Sequence, residues 1–212
     1  MKKDIILAGV GGQGILSIAT VIGEAALSEG LYLKQAEVHG MSQRGGDVQS
    51  NLRLSSSPIH SDLIAKGNAD LIISLEPMEA LRYLPYLSPT GWIVTAAKPF
   101  VNIPDYPDIE VILQHIQALD HEGKKHHVIL DVEALTAAQT PGPQPLQRAA
   151  NMVLLGAAIP MLDIEYDKVV QGVRDVFCRK GDDVVAANIT ALQAGFAVAP
   201  GYPNGCKSTT RI

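Results

Sequence analysis

Two glycine-bearing loops near the start of the chain carry the residue types best suited to bind an anion. The first loop, residues 9–14, reads GVGGQG, and the second, residues 37–46, reads EVHGMSQRGG. Glycine lets the backbone turn tightly and approach a ligand, and free N–H groups at the start of a helix attract phosphate or carboxylate. We therefore predict a cofactor-binding or partner-binding site whose candidate residues are Gly11, Gly12, Gln13, Gly14, His39, Ser42, Gln43, Arg44 and Gly45.

The residues around the first loop predict a strand, a turn and a helix. An apolar run, IILA, precedes the loop at 5–8, and apolar side chains recur at helical spacing over 15–27. The Gly-x-Gly-x-x-Gly spacing also matches the dinucleotide fingerprint, in which the loop backbone holds a pyrophosphate. A domain that holds its own NAD or FAD is therefore one alternative, and a tight turn that only packs closely is another.

The second loop is unusually dense in polar side chains, and we favour a functional role for it. Arg44 can form two charged hydrogen bonds to a carboxylate or phosphate. His39 could instead be satisfied by backbone groups in a rigid loop. Glu37 lies where a dinucleotide-binding domain places its ribose-binding acid, but its spacing from Gly9 is somewhat long for that role.

A further candidate for the site is Asn151, which lies in an apolar helical stretch beside Met152 and Val153. A buried side-chain amide needs hydrogen-bond partners. We expect Asn151 to tether the polar loops, and we regard Asn188 as a weaker candidate of the same kind.

The bulk composition excludes several classes of protein. The chain has 212 residues, of which 47% are hydrophobic and 18% charged, and its net charge is -5. This predicts one domain over residues 1–200 with a polar tail at 201–212 that frays. The acidic balance argues against a nucleic-acid binder, and the absence of a long apolar run argues against a membrane protein, so we expect a cytoplasmic location.

The cysteine and histidine content does not predict a metal centre. The two cysteines, Cys178 and Cys206, are too few for an iron–sulfur cluster or a zinc site. We expect Cys178 to be a buried helix residue. The pair His126 and His127 is interpreted as the solvated start of a strand.

The remaining pattern alternates between strands and helices, and this predicts an α/β fold: a three-layer α/β/α sandwich, Rossmann-like, with a helical C-terminal portion. A strand is expected over 47–54, with one side solvated or facing a partner. Asp163 is expected to cap the helix that follows it. The other predicted strands cover 71–75, 92–95 and 128–130, and the other predicted helices cover 77–84, 109–119, 146–161, 165–177 and 182–196.

Taken together, the two loops resemble the gamma-type subunit or domain of the 2-oxoacid:ferredoxin oxidoreductases, most closely in the indolepyruvate branch. The first turn alone is a weak signal, but its Gly-Gln-Gly ending, joined to HGMSQRGG at 39–46, is specific. The resemblance continues through RAANMVLLG at 148–156, the pair KG at 180–181 and NITALQAG at 188–195. It thus covers almost the whole chain.

This resemblance implies an enzyme in which thiamine diphosphate decarboxylates a 2-oxoacid such as indolepyruvate or a related aryl pyruvate. Iron–sulfur clusters then pass electrons to ferredoxin, and the acyl group leaves on coenzyme A. The resemblance assigns thiamine diphosphate and the clusters to a large partner subunit. It implies that the present chain holds no cofactor by itself and supplies no catalytic residue, and that its first loop contacts coenzyme A, the partner's diphosphate or a partner loop.

The sequence agrees with this division of labour. A thiamine site normally shows Gly-Asp-Gly followed some thirty residues later by Asn. Here Gly181-Asp182-Asp183 has no second glycine and precedes a predicted helix, and Asn188 is too close to complete the motif. A third interpretation, a pure assembly module without ligand contact, also remains open.

Overall fold

The fold was analysed in a computed structural model that describes residues 1–40, 46–101, 104–119, 125–139 and 149–200. His39, Ala138 and Gln139 are described by their backbone alone. Within these ranges, no helix combines the length and the apolar character needed to cross a membrane.

A mixed sheet forms the middle layer of the fold. Its order is β2-β3-β1-β4-β5-β6, in which β1, β4, β5 and β6 run parallel and β3 runs antiparallel to both of its neighbours. The connection from β2 to β3 is too short for a crossover, so these two strands can pair only as a hairpin. The strands are β1 (Lys2–Val10), β2 (Tyr32–His39), β3 (Asp47–Ser55), β4 (Ala69–Ser74), β5 (Leu87–Ala96) and β6 (His127–Leu130).

Helices cover both faces of the sheet, which confirms the predicted α/β sandwich. Residues of β1 alternate between the faces: Ile5 and Leu7 pack with α1, α5, α6 and α7, whereas Ile6 and Ala8 pack with α2 and α3. The helices are α1 (Ile15–Ser28), α2 (Pro77–Arg82), α3 (Ile109–Gln117), α4 (Val132–Gln139), α5 (Ala150–Leu162), α6 (Tyr166–Phe177) and α7 (Asp182–Ala197), with short 3-10 helices at Leu84–Tyr86 and Cys178–Lys180.

The tightest helix contact in the larger layer joins α5 and α7. A Cβ atom on Gly156 would lie 2.0 Å from the carbonyl oxygen of Leu192, and one on Gly195 would lie 1.8 Å from that of Val153. The two helix backbones therefore touch directly, which only glycine permits at these positions. This contact brings the almost entirely buried α5 under α7 and against β4 and β5.

Two predictions about individual residues near α6 were wrong. Asp163 does not cap α6, because α6 starts after Glu165, and Asp163 instead ends α5 with a positive φ of 57°. Aspartate is one of the few residues that tolerate this left-handed conformation. Cys178 is exposed, not buried, because α6 ends at Phe177 and the chain tightens into a 3-10 helix there.

The polar side of β3, expected to be solvated or to face a partner, is in part buried within the chain. Asn51 is only 3% exposed, and its side-chain oxygen accepts a hydrogen bond from the backbone of Ile64. Arg53 forms two hydrogen bonds to the buried Asp4, at 2.7 and 3.1 Å. A buried carboxylate needs such a partner. Asn51 and Arg53 on this face therefore bind other parts of the chain, while the rest of the face remains partly exposed.

We expect Gly156→Ala and Gly195→Ala each to lower the free energy of unfolding by about 3 kcal/mol. This is the upper part of the range for overpacking, because a backbone carbonyl cannot turn aside as a side chain can. Urea unfolding of the purified variants measures this loss.

Gly23→Ala is the matched control. A Cβ atom on Gly23 in α1 would lie an ordinary 3.4 Å from Leu33. The change should leave stability unaltered or raise it by up to about 1 kcal/mol through helix propensity. Equal losses in all three variants would show that the α5–α7 contact is not special.

Candidate ligand and partner site

The candidate site lies at the edge of the sheet where the parallel strands end. The chain leaves β1 towards α1 on one face and leaves β4 towards α2 on the other, so the strands diverge there. Such a switch point is where open α/β sheets bind ligands. A crevice of about 630 Å³ opens at this edge and is lined by Gly12, Gln13, Leu75, Ala96, Lys98, Pro99, Phe100, Val132, Glu133, Thr136 and Ala150.

The two glycine loops meet at this edge, as the sequence predicted. The backbone N–H of Gly11 donates to the carbonyl of Gly46 at 2.9 Å, and that of Gly40 donates to the carbonyl of Asp47 at 2.9 Å. These bonds fix both ends of the second loop. Four candidate residues, Ser42, Gln43, Arg44 and Gly45, lie outside the described residues, and only the backbone of His39, in β2, is described.

Gln13 braces the first loop with both ends of its amide. Its Oε1 accepts a hydrogen bond from the backbone N–H of Val10 at 2.8 Å, and its Nε2 donates to the carbonyl of Leu75 at 3.3 Å. The side chain therefore joins the end of β1 to the residue that follows β4. Because both groups are engaged, Gln13 fixes the walls of the crevice, and its direct contact with a ligand stays a prediction.

Asn151 tethers the same loop from the other side. Its Nδ2 donates to the carbonyl of Gly14 at 3.0 Å, which is the tether that the sequence predicted. Gly14 has a φ of 83°, and a Cβ atom there would lie 2.8 Å from that amide nitrogen. Asn188 differs, because its amide donates to the carbonyl of Val184 one turn earlier in α7.

The first turn of α1 contributes a partial positive charge to this edge. Gly14 precedes the helix, no side chain caps it, and the first turn contains no acidic residue. The unpaired N–H groups of a helix start favour an anion nearby. Gly12 and Gly14, whose positive φ values of 98° and 83° shape the loop, border this start.

The sequence analysis missed the charged residues on the far side of the crevice. Lys98 forms ion pairs with Glu133 at 2.5 Å and with Asp131 at 3.7 Å. The hydrogen bond to Glu133 raises the pKa of Lys98 above its ordinary value. The sequence did contain a signal for this wall, because an aspartate directly before a helix is a typical N-cap residue. In the structure, the Asp131 carboxylate accepts a hydrogen bond from the backbone N–H of Ala134 at 3.0 Å and caps the start of α4.

The sequence analysis also missed a cluster of buried acidic groups where α2 begins. Glu76 is 2% exposed and Glu79 is 5% exposed. The phenol of Tyr106 donates to Glu76, and Arg82 binds Glu79 through two hydrogen bonds, at 2.7 and 3.2 Å. Burial raises the pKa of Glu79 above its usual range, although Arg82 opposes the shift. Burial and then the bond to Glu76 raise the pKa of Tyr106.

In the ranges that the structure describes, no group of three or more His, Cys, Asp or Glu side chains is arranged to hold a metal ion. His126 is half-buried, not solvated as predicted, because its ring stacks on Trp92 with 5.2 Å between centroids.

The comparisons with known proteins identify the family of this chain and agree with its fold. Residues 4–198 match the family model described as Pyruvate ferredoxin/flavodoxin oxidoreductase. The chain therefore belongs to that family. It is 40% identical to the Indolepyruvate oxidoreductase subunit IorB of Pyrococcus horikoshii, covering 94% of this chain and 97% of that protein. It is 32% identical to the same subunit of Methanothermobacter thermautotrophicus, covering 94% and 98%.

Solved structures share the fold at lower sequence identity. The chain is similar, with a TM-score of 0.68 and 21% identity, to a 2-oxoglutarate:ferredoxin oxidoreductase from Magnetococcus marinus that has 2-oxoglutarate, coenzyme A and succinyl-CoA bound. The match covers 93% of this chain and 31% of that one. A second neighbour is the pyruvate oxidoreductase subunit PORC from Thermotoga maritima, with a TM-score of 0.64, 18% identity and coverage of 92% and 95%.

We expect Gln13→Glu to lower the free energy of unfolding by about 1–3 kcal/mol at neutral pH, because an ionised carboxylate cannot donate to the Leu75 carbonyl. Protonation restores a donor, so the loss should shrink as the pH falls through the pKa of the new carboxyl group. Urea unfolding between pH 4 and pH 7 measures both effects. Gln114→Glu, on the exposed face of α3, should change stability little, and a similar loss in that variant would argue against the bracing role.

Proposed function

We propose that this chain is the small subunit of a thiamine-diphosphate-dependent 2-oxoacid:ferredoxin oxidoreductase that acts on indolepyruvate and related aryl pyruvates. The complex converts the 2-oxoacid into the acyl-CoA and passes the electrons to ferredoxin in the cytoplasm. The observation that carries the proposal is the 40% identity to an indolepyruvate oxidoreductase subunit over nearly the full length of both chains. Relatives named 2-oxoglutarate synthase subunit KorC match only about half of this chain, which favours the indolepyruvate branch.

The chain's part in this reaction is to complete a site and not to hold the thiamine group. Gly181 is the N-cap of α7 and Asp182 its first residue, so this stretch begins a helix and does not form a diphosphate loop. A larger partner subunit would hold thiamine diphosphate and the iron–sulfur clusters. Fixed loop ends at Gly11, Gly40 and Gly46 support a surface that presents groups to that partner.

Coenzyme A fits the described edge as a ligand that contacts this chain. The uncapped start of α1 favours a phosphate, and the crevice beside it offers about 630 Å³. The Gly12 and Gly14 backbone together with Arg44 and Ser42 would hold the phosphate-bearing part. Coenzyme A supplies the thiol that accepts the acyl group, whereas this chain would orient the carrier and neutralise its charge.

Holding NAD or FAD in the first loop is less well supported by the hydrogen bonds. In a dinucleotide fingerprint, the loop backbone binds the pyrophosphate. Here the Gly11 N–H is donated to Gly46, and the Gln13 N–H is donated to the carbonyl of Val10 at 3.1 Å. Two of the loop donors are therefore used within the chain.

We expect the purified chain alone to show no oxidation of indolepyruvate and no visible absorbance, because it lacks a thiamine motif and the cysteines for a cluster. Dye-linked turnover with indolepyruvate and coenzyme A should begin when the larger subunit is added. The control is the larger subunit alone at the same concentration.

Turnover by the chain alone would contradict the proposal. Calorimetric titration of the chain with NAD, NADP and FAD should show no binding tighter than about 1 mM, or roughly -4 kcal/mol. Micromolar affinity for any of them would favour the dinucleotide alternative instead.

Arg44→Ala should leave the thermal midpoint of the chain nearly unchanged and impair the reconstituted complex by roughly 10- to 150-fold. Losing one charged hydrogen bond costs about 1.5–3 kcal/mol in the affinity or rate that it supports. Arg174→Ala, on the exposed surface of α6, is the matched control and should retain full turnover.

Titrations of the Arg44→Ala complex locate the contact. Rescue by excess subunit would place Arg44 at the partner interface, and rescue by excess coenzyme A would place it in the ligand site. Full activity at limiting concentrations of both the subunit and coenzyme A would show that the second loop has only a structural role.

A further inference from the structure

Asp47, the first residue of β3, lies where the second loop rejoins the sheet. Its carbonyl accepts the Gly40 N–H, and the preceding carbonyl, that of Gly46, accepts the Gly11 N–H. Both loops are therefore fixed within one residue of Asp47. Any shift of this residue must move the bonds that hold the ends of the second loop and the turn of the first.

The Asp47 side chain is itself held by Tyr83, the residue that follows α2. The phenol of Tyr83 donates to its Oδ2 at 2.7 Å, across 36 residues of sequence. Tyr83 is 7% exposed, and burial and the bond to Asp47 raise the pKa of its phenol, so the phenol remains a donor at all working pH values. This is a charged hydrogen bond from a rigid, buried donor.

The other Asp47 oxygen, Oδ1, is buried and has no hydrogen-bond donor among the described residues. Burial raises the pKa of Glu79 in α2, and the neighbouring Asp47 carboxylate adds to the rise. Tyr83 is the hydrogen-bond donor that the structure shows on the Asp47 carboxylate.

We propose that Asp47 is a positioning residue for the binding edge, and that the Tyr83 phenol holds its carboxylate so that Gly46 stays bonded to Gly11. The inference depends on the proposed function in one respect only, namely the identity of the ligand that the edge binds. Arg82, Glu76 and Tyr106 are the other charged or titratable groups that act on Asp47 and Glu79 from α2 and from the segment before α3.

The Gly11 amide reports directly on this arrangement, because its hydrogen exchange requires the bond to Gly46 to open. Tyr83→Phe should lower the protection factor of the Gly11 amide roughly tenfold or more, which is the effect expected for the loss of a hydrogen bond to a charged group. The measurement is hydrogen exchange by NMR on the full chain, without the partner. Tyr86→Phe is the matched control, since its ring lies next to Tyr83, with 6.2 Å between centroids.

The pH dependence distinguishes positioning from general destabilisation. As the pH rises through the raised pKa of Glu79, a second negative charge develops near Asp47 and repels it, so protection at Gly11 should fall. Glu79→Gln carries no charge at any pH and should flatten this profile. Asp47→Asn removes the repulsion and should flatten it as well.

The reconstituted complex provides the functional arm of the test. Tyr83→Phe should raise the KM for coenzyme A about tenfold and leave kcat within about twofold. An inactive wild-type complex would contradict the proposed function but not the positioning role. Unchanged protection at Gly11 in Tyr83→Phe, or an equal loss at amides of α7, would overturn the positioning role whatever the complex does.

Discussion

The contact between α5 and α7 is the constraint on which the other features of the larger layer depend. Gly156 and Gly195 let the two backbones touch, so α7 covers α5 and presses it against the sheet. The start of α5 then lies beside the first loop, where Asn151 can reach the Gly14 carbonyl. A side chain at either glycine would separate the helices and move that amide. Helix packing far from the edge thus decides the geometry of the loop.

At the edge itself, the polar groups named above form hydrogen bonds mainly with one another. Gln13 uses both ends of its amide, Gly11 donates to Gly46, and Asp47 accepts from Tyr83. Groups held in this way keep a binding surface rigid before a ligand arrives, which lowers the entropy cost of binding. They also leave few free donors for a ligand. This is physically consistent with a chain that completes a site together with a larger subunit.

The two sides of the edge differ in charge. On the side of α1, an uncapped helix start offers partial positive charge. On the side of α2, Glu76 and Glu79 bring buried carboxyl groups, which Tyr106 and Arg82 engage. An anionic ligand is therefore favoured beside the glycine loop and disfavoured beside α2.

The sequence by itself determined the alternation of strands and helices, the strand-turn-helix at the first loop and the Asn151 tether, because apolar periodicity and glycine spacing are local signals. It also pointed to two loops at one edge. Tertiary structure alone decided that β3 runs antiparallel with Asn51 of its polar face buried, that Asp163 ends a helix, and that Lys98, Asp47, Glu76 and Glu79 belong to the edge. Those outcomes depend on contacts between residues distant in sequence, such as Asp47 with Tyr83 and Arg53 with Asp4. Burial and pairing at long range are properties of the packed molecule, and no local pattern encodes them.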